Sequence, residues 1–494
     1  MSFSPSETAA ILPLAIPAAA ACLLPIASLD RDQETVKWVR GAFFGIALLA
    51  ILGSFFYVTQ LWGTGQQPVW TQLRFDRLAQ AAAILVLAAA AFAVLQLWDH
   101  LHHEGWVKAE TLALLLCSVT GMLLFASTTH LLVLFLGLEL LSLPLYALTA
   151  TVRFRAGALE GAMKYFLTGA VASGCFLMGL VLVYGTTGSL ELRSASVAAA
   201  ASDPLFLAGA ALMLGGFLFK VSAVPFHQWT PDAYEAAPHP VSGFMSVATK
   251  TVALVALLRV FPGALALSGP LAPKAQAAVA LFAALTIVLG NLTALSQTKV
   301  KRMLAYSSVS HAGYLLLAFV AGTAQAYAGM LVYLAAYLAM NMGAFGLLSA
   351  LSLPGDRGDL EDLRGLGWKR PELGVAMGLC LLSLAGIPPT AGFFGKYMVF
   401  KELVQQGHVG LTVLAVLGSL VSVAYYLRVL AALFGEPSPE RLREDAERPQ
   451  ASAPLAGATV LAAAILVVMG GLWQGLLSEG FALRAIQDAL PFLH

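Results

Sequence analysis

Long apolar runs alternate with short polar connections along this chain, and the runs predict its elements. A helix rises 1.5 Å per residue, so about 20 apolar residues cross a hydrocarbon layer about 30 Å thick. On that measure there are fourteen spanning helices, at approximately 9–29, 39–61, 78–98, 111–127, 130–151, 164–185, 205–221, 241–261, 273–296, 303–321, 326–350, 373–391, 410–434 and 455–478. Two of the runs break. The seventh is apolar from Leu205 to Phe219 and then reads Lys220-Val-Ser-Ala-Val-Pro225-Phe-His227-Gln-Trp229-Thr-Pro231-Asp232. The twelfth reads Leu-Ala-Gly386-Ile-Pro388-Pro389-Thr-Ala-Gly392-Phe-Phe-Gly395-Lys396 and resumes as a half-helix to about Gln405. A broken helix frees backbone groups that hydrocarbon cannot satisfy. A lysine near the bilayer centre costs roughly 2.5–3.5 kcal/mol on insertion scales. Both costs are tolerable where the site lines a polar or watered pathway.

Composition makes the class plain. Of 494 residues, 59% are hydrophobic and 11% charged, with mean hydropathy +0.80. Soluble domains are about 25% charged. The expected fold is all-α, a polytopic membrane protein. With Glu7 and no basic stretch before it, the first span is expected to stay in the protein. The odd-numbered connections carry sixteen Lys and Arg, the even-numbered ones and the C-terminus five. The positive-inside rule then places the odd connections in the cytoplasm and both termini outside. The two breaks lie five spans apart. A five-helix unit crosses an odd number of times, so a second copy must be inverted. The expected organisation is 1–110 for the first three helices, 111–265 for one repeat, 270–435 for its inverted copy, and 450–494 for the last helix.

Several function classes drop out. Net charge is +1, without the excess that would recruit nucleic acid. Cys22, Cys117, Cys175 and Cys380 all fall in apolar spans without a CxxC pair, and read as small buried hydrophobes rather than cluster ligands. His100, His102 and His103 lie close together but lack the acids or cysteines of a metal site. There is no GxSxG, HExxH or phosphate-loop pattern.

What remains is charge inside the membrane. Lys220 and Lys250 fall in consecutive spans, and Glu139 is the clearest intramembrane acid. Desolvation favours the neutral forms of lysine and glutamate, and an opposite charge favours the ionised forms. Opposite charges about 6 Å apart attract by roughly 2.8 kcal/mol at an effective dielectric of about 20, near two pK units. Moving a carboxylate by several ångströms would therefore make a lysine hold or release a proton. The plainer alternative is a static Glu139–Lys220 pair that fixes helix packing. His311 sits among the hydroxyls of Tyr306, Ser307, Ser308 and Ser310, which would hold water or pass protons; the alternative is a core histidine. His227 is a relay or a structural hydrogen bond. Lys164, four residues after Glu160, reads as a snorkelling or locally paired lysine, and Arg259, Arg428 and Lys401 as interface anchors.

The motif Phe219-Lys220-x-Ser222-x-x-Pro225-Phe226-His227-x-Trp229-Thr230-Pro231-Asp232-x-Tyr234-x-x-Ala237-Pro238 resembles the signature of the antiporter-like membrane subunits of respiratory complex I. Its wording is most similar to the N type of bacterial NADH-quinone oxidoreductase. Glu160-Gly-Ala-Met-Lys164-Tyr-Phe, Arg302-Met-Leu-Ala-Tyr306-Ser-Ser and Gly392-Phe-Phe-Gly-Lys396 extend the resemblance over roughly 110–430. The resemblance implies proton translocation coupled to NADH oxidation and quinone reduction. It also implies that NADH, FMN, iron–sulfur clusters and quinone are held by partner subunits, with no cofactor in this chain. The partners implied are other membrane subunits of complex I, with membrane lipid, in a bacterial inner membrane. By motif, Glu139 would tune Lys220, Lys220 would take a proton from the cytoplasmic side, Lys250 and His311 would relay it, and Lys396 would pass it outward. Lys164 and His227 would be accessory, Lys164 near the Glu139–Lys220 pair. A subunit of an Mrp-type cation/proton antiporter, or a non-transporting scaffold, are the competing readings.

Overall fold

The computed structural model describes residues 5–28, 36–62, 68–69, 72–101, 108–152, 157–191, 200, 202–261, 272–351, 358–436, 453–472 and 480–489. His102, His103 and the loop cations Arg31, Arg153, Arg155, Arg193, Arg357, Arg441, Arg443 and Arg448 lie outside these residues. The runs form α1 (Pro5–Ala27), α2 (Val36–Leu61), α3 (Arg77–Leu101), α4 (Ala109–Ala126), α5 (Leu131–Thr149) and α6 (Ala158–Thr187). The seventh is two helices, α7a (Pro204–Val221) and α7b (Trp229–Ala236). Then come α8 (His239–Val260), α9 (Ala272–Leu295), α10 (Val300–Ala321) and α11 (Ala324–Leu351). The twelfth is again two, α12a (Pro371–Ala385) and α12b (Ala391–Gln405), followed by α13 (Val409–Leu433) and α14 (Pro454–Leu472). Among the described residues, thirteen helices are long and apolar enough to cross a membrane, and α12a is a shorter apolar helix that α12b continues. Among the described residues, five elements have no counterpart in the periodicity: a two-residue hairpin, Pro68–Val69 with Leu73–Arg74; a π-helical stretch, Met245–Thr249, inside α8; a 3-10 turn, Leu360–Leu363; a one-turn helix, Leu366–Lys369; and a short terminal helix, α15 (Ala482–Ala489).

Burial identifies the middle of the bundle. The membrane window of α8 is 100% buried, against 28% for α6 and α13. The windows of α10 and α11 are almost as enclosed as that of α8. Large apolar side chains such as Leu49, Leu136, Val171, Leu420 and Ile465 stand exposed on the outer helices, as expected where lipid is the solvent. Corresponding helices pack alike in the two repeats. α4 packs on α5 as α9 does on α10, α4 on α8 as α9 on α13, and α6 on both halves of α7 as α11 on both halves of α12. α14 closes the bundle against α3, α11 and α12a.

Without a hydrophobic drive between helices in lipid, small residues set how closely backbones approach. α6 and α7a cross at Gly179 and Gly209. A Cβ on either would sit 2.6 or 2.8 Å from the other's carbonyl oxygen, so only glycine fits.

Two expectations need correction here. Arg259 is not an interface anchor. It is buried, its guanidinium takes both carboxylate oxygens of Asp76 ahead of α3, and its Nε donates to Ala126 O at 2.7 Å. A charge near a span end can be driven inward when its partner comes from a distant segment, here 183 residues away. Cys22 is exposed rather than a buried hydrophobe, and all four cysteines are free thiols. Arg428 does lie exposed, donating to the α9 terminus at Gln297 O, 3.2 Å, and at Leu295 O.

Candidate functional site

Both helix breaks end in the same way. α7a stops at Ser222, whose φ of 66° is left-handed, and Ala223 N donates back to Leu218 O at 2.8 Å. α12a stops at Gly386, φ 85°, and Ile387 N donates to Leu382 O at 3.1 Å. These bonds satisfy carbonyls that the helix leaves open. Side-chain hydroxyls serve the freed amides: Thr286 Oγ1 accepts from Val224 N at 2.9 Å and Ser383 Oγ from Gly392 N at 3.0 Å. Neither break abandons its backbone to hydrocarbon.

Each break presents a buried lysine. Lys220 Nζ donates to Ser142 Oγ of α5 at 2.7 Å and lies 5.9 and 5.8 Å from the ring centres of Tyr146 and Tyr165. Glu139, one turn before Ser142, is half-buried, and its Oε1 is buried without a hydrogen-bond partner. No ion pair joins Glu139 to Lys220 in the structure, so the static pair is not what fills this site. Lys396 follows its break and reaches back across it. Its Nζ donates to Leu384 O at 2.9 Å, Ala385 O at 3.3 Å and Ser419 Oγ at 2.7 Å, and lies 4.8 Å from the Tyr314 ring centre.

Between them runs a line of titratable and hydroxyl groups. Lys250 follows the π-helical stretch of α8, a distortion that recurs at functional sites. Its Nζ donates to Ser308 Oγ of α10 at 2.5 Å and sits 5.9 Å from the Tyr234 ring centre. One turn along α10, His311 is fully buried. Its Nδ1 shares a hydrogen bond with Tyr333 OH and its Nε2 with Tyr426 OH, 3.1 Å. Tyr426 OH also bonds Ser307 Oγ. Asn291 Nδ2 donates to Tyr314 OH at 3.0 Å, and Tyr425 OH donates to Asn291 Oδ1 at 3.1 Å. So Ser307 and Ser308 join the line. Ser310 turns back to Ser307 O, and Tyr306 makes no hydrogen bond among the described residues.

The accessory positions divide. Lys164 does not reach Glu139 or Lys220: it pairs with Glu160 at 2.7 Å, as its spacing predicts, and with Asp232 of α7b at 2.9 Å. Asp232 also accepts from Arg302 at 2.7 Å, and Arg302 bonds Glu235 at 2.8 Å. Glu235 in turn pairs with Lys299, holding that ammonium above its ordinary range through their hydrogen bond. This ionic cluster ties α6, α7b and the start of α10 together at one end of the bundle. His227 lies within the first break, half-buried, with Nδ1 buried and unbonded. Among the described residues, no three His, Cys, Asp or Glu come close enough to hold a metal.

Ser142, Ser419, Asn291 and the tyrosines were not legible as site residues. Their only signal is a hydroxyl or amide in an apolar run, which costs free energy unless it is bonded. Tyr327, Tyr333 and Tyr337 of α11 and Tyr425-Tyr426 of α13 fit that description.

A family model described as NADH:quinone oxidoreductase/Mrp antiporter, TM, matches residues 127–422, from the end of α4 to α13. NADH-quinone oxidoreductase subunit N of Salinibacter ruber is 39% identical over 457 residues, 90% of this chain and 89% of that one. Among solved structures, a chain of respiratory complex I from Thermus thermophilus with bound aureothin is 39% identical, covering 95% of this chain and 99% of its own, with a TM-score of 0.80. A chain of the Mrp complex from Dietzia sp. shares the fold at 22% identity and a TM-score of 0.83, over 99% and 98% of the two chains. With both broken helices inside the matched region and the likeness running almost end to end, the chain belongs to the subunit N family of antiporter-like membrane proteins.

Proposed function

We propose that this chain translocates protons within an NADH:quinone oxidoreductase complex, without redox chemistry of its own. One observation carries the reading: Lys220, Lys250, His311 and Lys396 are all buried, each is hydrogen-bonded to a hydroxyl, and none has a fixed counter-ion among the described residues. Lysine is compact, donates three ways and can exist neutral, which arginine cannot. A proton arriving at Lys220 moves by way of Lys250, Ser308 and His311 with its two tyrosines to Lys396, with water completing the gaps. Residues 111–265 form the uptake half and 270–435 the release half. Glu139 sets whether Lys220 holds its proton. Lys164 acts at a distance, through Asp232 and α7b, and His227 is an accessory group of the first break.

NADH, FMN, iron–sulfur clusters and quinone belong to partner subunits. The chain sits among other membrane subunits and lipid in a bacterial inner membrane. Protons pass from the cytoplasm to the outside, where both termini lie. The ionic cluster of Lys299, Arg302 and their carboxylates then marks the cytoplasmic end.

The test is Lys220→Ala in the assembled complex. Proton translocation is expected to fall by at least about tenfold, a threshold set below the roughly 10²–10⁴-fold that a positioned proton-transfer group contributes. Wild-type pumping together with wild-type NADH–quinone turnover, at full assembly, would refute the reading.

A further inference from the structure

Lys396 is the last group of the series, yet it is enclosed. Something must take its proton to the outer surface. Glu402 stands further along α12b on the buried stripe that includes Gly392, Gly395, Lys396, Val399 and Leu403. It is 7% exposed, and its Oε2 accepts from Thr323 Oγ1 at 2.8 Å. No cation pairs with it among the described residues, and its neighbour Lys401 is exposed. Every other buried carboxylate that is described is Asp76, which Arg259 neutralises.

The position is that of a mouth. Thr323 belongs to the turn that joins α10 to α11, at the end of α10 opposite Arg302 and the ionic cluster. Glu402 lies six residues beyond Lys396 along α12b, a rise of about 9 Å. α11 lines the same interval. It carries Tyr327 one turn in from Thr323, and then Tyr333, whose hydroxyl bonds His311. Tyr333 packs directly against α12b: a Cβ on Gly395 would lie 2.6 Å from its Cδ2.

We propose that Glu402 is the outer proton-transfer residue. The Lys396 ammonium gives up a proton, through water, and becomes a neutral amine. The Glu402 carboxylate gains it as a carboxylic acid, then releases it to water at the outer surface and returns to carboxylate. Thr323 holds the carboxyl group at the mouth. This rests on Lys396 being the release-side lysine.

The experiment measures NADH-driven proton translocation per quinone reduced in membrane vesicles, with assembly checked on native gels, for E402Q, E402D, T323V and K396L. E402Q is expected to lose at least about fivefold, E402D to recover most of it, and T323V to keep more than half, because T323V leaves the proton acceptor in place. Wild-type pumping by E402Q overturns the proposal, and so does equal loss in E402Q and T323V, which would make Glu402 a strut for the turn. If K396L pumps normally, the release-side reading of Lys396 falls; if K396L fails while E402Q pumps, only Glu402 falls. Should E402Q not assemble, the unaltered complex decides. A water-soluble carbodiimide applied from the outer face is expected to modify Glu402, read by mass spectrometry, in step with loss of pumping. Glu402 left unmodified, or modified with pumping intact, overturns it.

Discussion

The two broken helices end alike and hold their lysines differently. Lys220 rests on a single hydroxyl, Ser142, with a half-buried carboxyl group one turn away. Lys396 is caged by two backbone carbonyls and Ser419 under the face of Tyr314. The second site's two carbonyl acceptors are fixed by the backbone. The first offers Lys220 a side-chain acceptor alone. The two repeats thus share a backbone device and differ in what surrounds the lysine. The flanking arginines differ as well: Arg259 on α8 is buried on Asp76, whereas Arg428 on α13 lies at the surface on carbonyls.

That contrast can be broken, and the largest effect is expected at the arginines. Arg259→Leu strands the buried Asp76 charge and costs about 3–5 kcal/mol, so assembled protein falls sharply on native gels. Arg428→Leu, the exposed counterpart, changes the assembled amount little. Next, Lys396→Glu would turn a carboxylate toward two carbonyl oxygens. Its proton translocation is expected to be as poor as that of Lys396→Leu, at least about tenfold down, and Lys396→Gln, which keeps a donor but cannot take up or release a proton, does no better. Ser142→Ala removes the one hydrogen bond of Lys220 and is expected to cost about tenfold in pumping, against less than about threefold for Ser419→Ala, because a bond to a charged group is worth about 1.5–3 kcal/mol and Lys396 retains two others. Equal losses in the two serine variants would erase the distinction between the sites. The smallest effect is Lys164→Ala: a half-exposed pair is worth about 0–1 kcal/mol, so turnover should drop by less than about twofold.

The lysines and both breaks were legible because each is expensive in an apolar run, and expense shows in one sequence. Their partners were not. Ser142 and Ser419 are ordinary residues for a membrane helix until something distant bonds them. The π-helical stretch before Lys250 leaves no mark on hydropathy, since it changes hydrogen bonding and not residue type. Arg259 was misread because depth alone cannot separate a lipid-facing anchor from a group whose acid, Asp76, enters from a distant segment ahead of α3. Lys164 shows two kinds of inference diverging. Its i, i+4 spacing with Glu160 was right, and the family resemblance set it beside the Lys220 site, where it pairs with neither Glu139 nor Lys220 and has only the neighbouring Tyr165 as a link.

Glu139 shares its face of α5 with Leu132, Leu136, Leu140 and Leu143, all exposed. Glu139, the residue proposed to govern the first lysine, is therefore near the rim of the molecule, while Lys250 lies in a helix with no outward face. A charge on an adjoining surface 10 Å from Glu139 would act on it by about 1.7 kcal/mol at an effective dielectric of about 20. That exceeds a tenfold change in occupancy, with no contact and no movement of the backbone. On the proposed role of Glu139, the first lysine is addressed electrically from the side of the chain, as a gate electrode addresses a channel it does not touch.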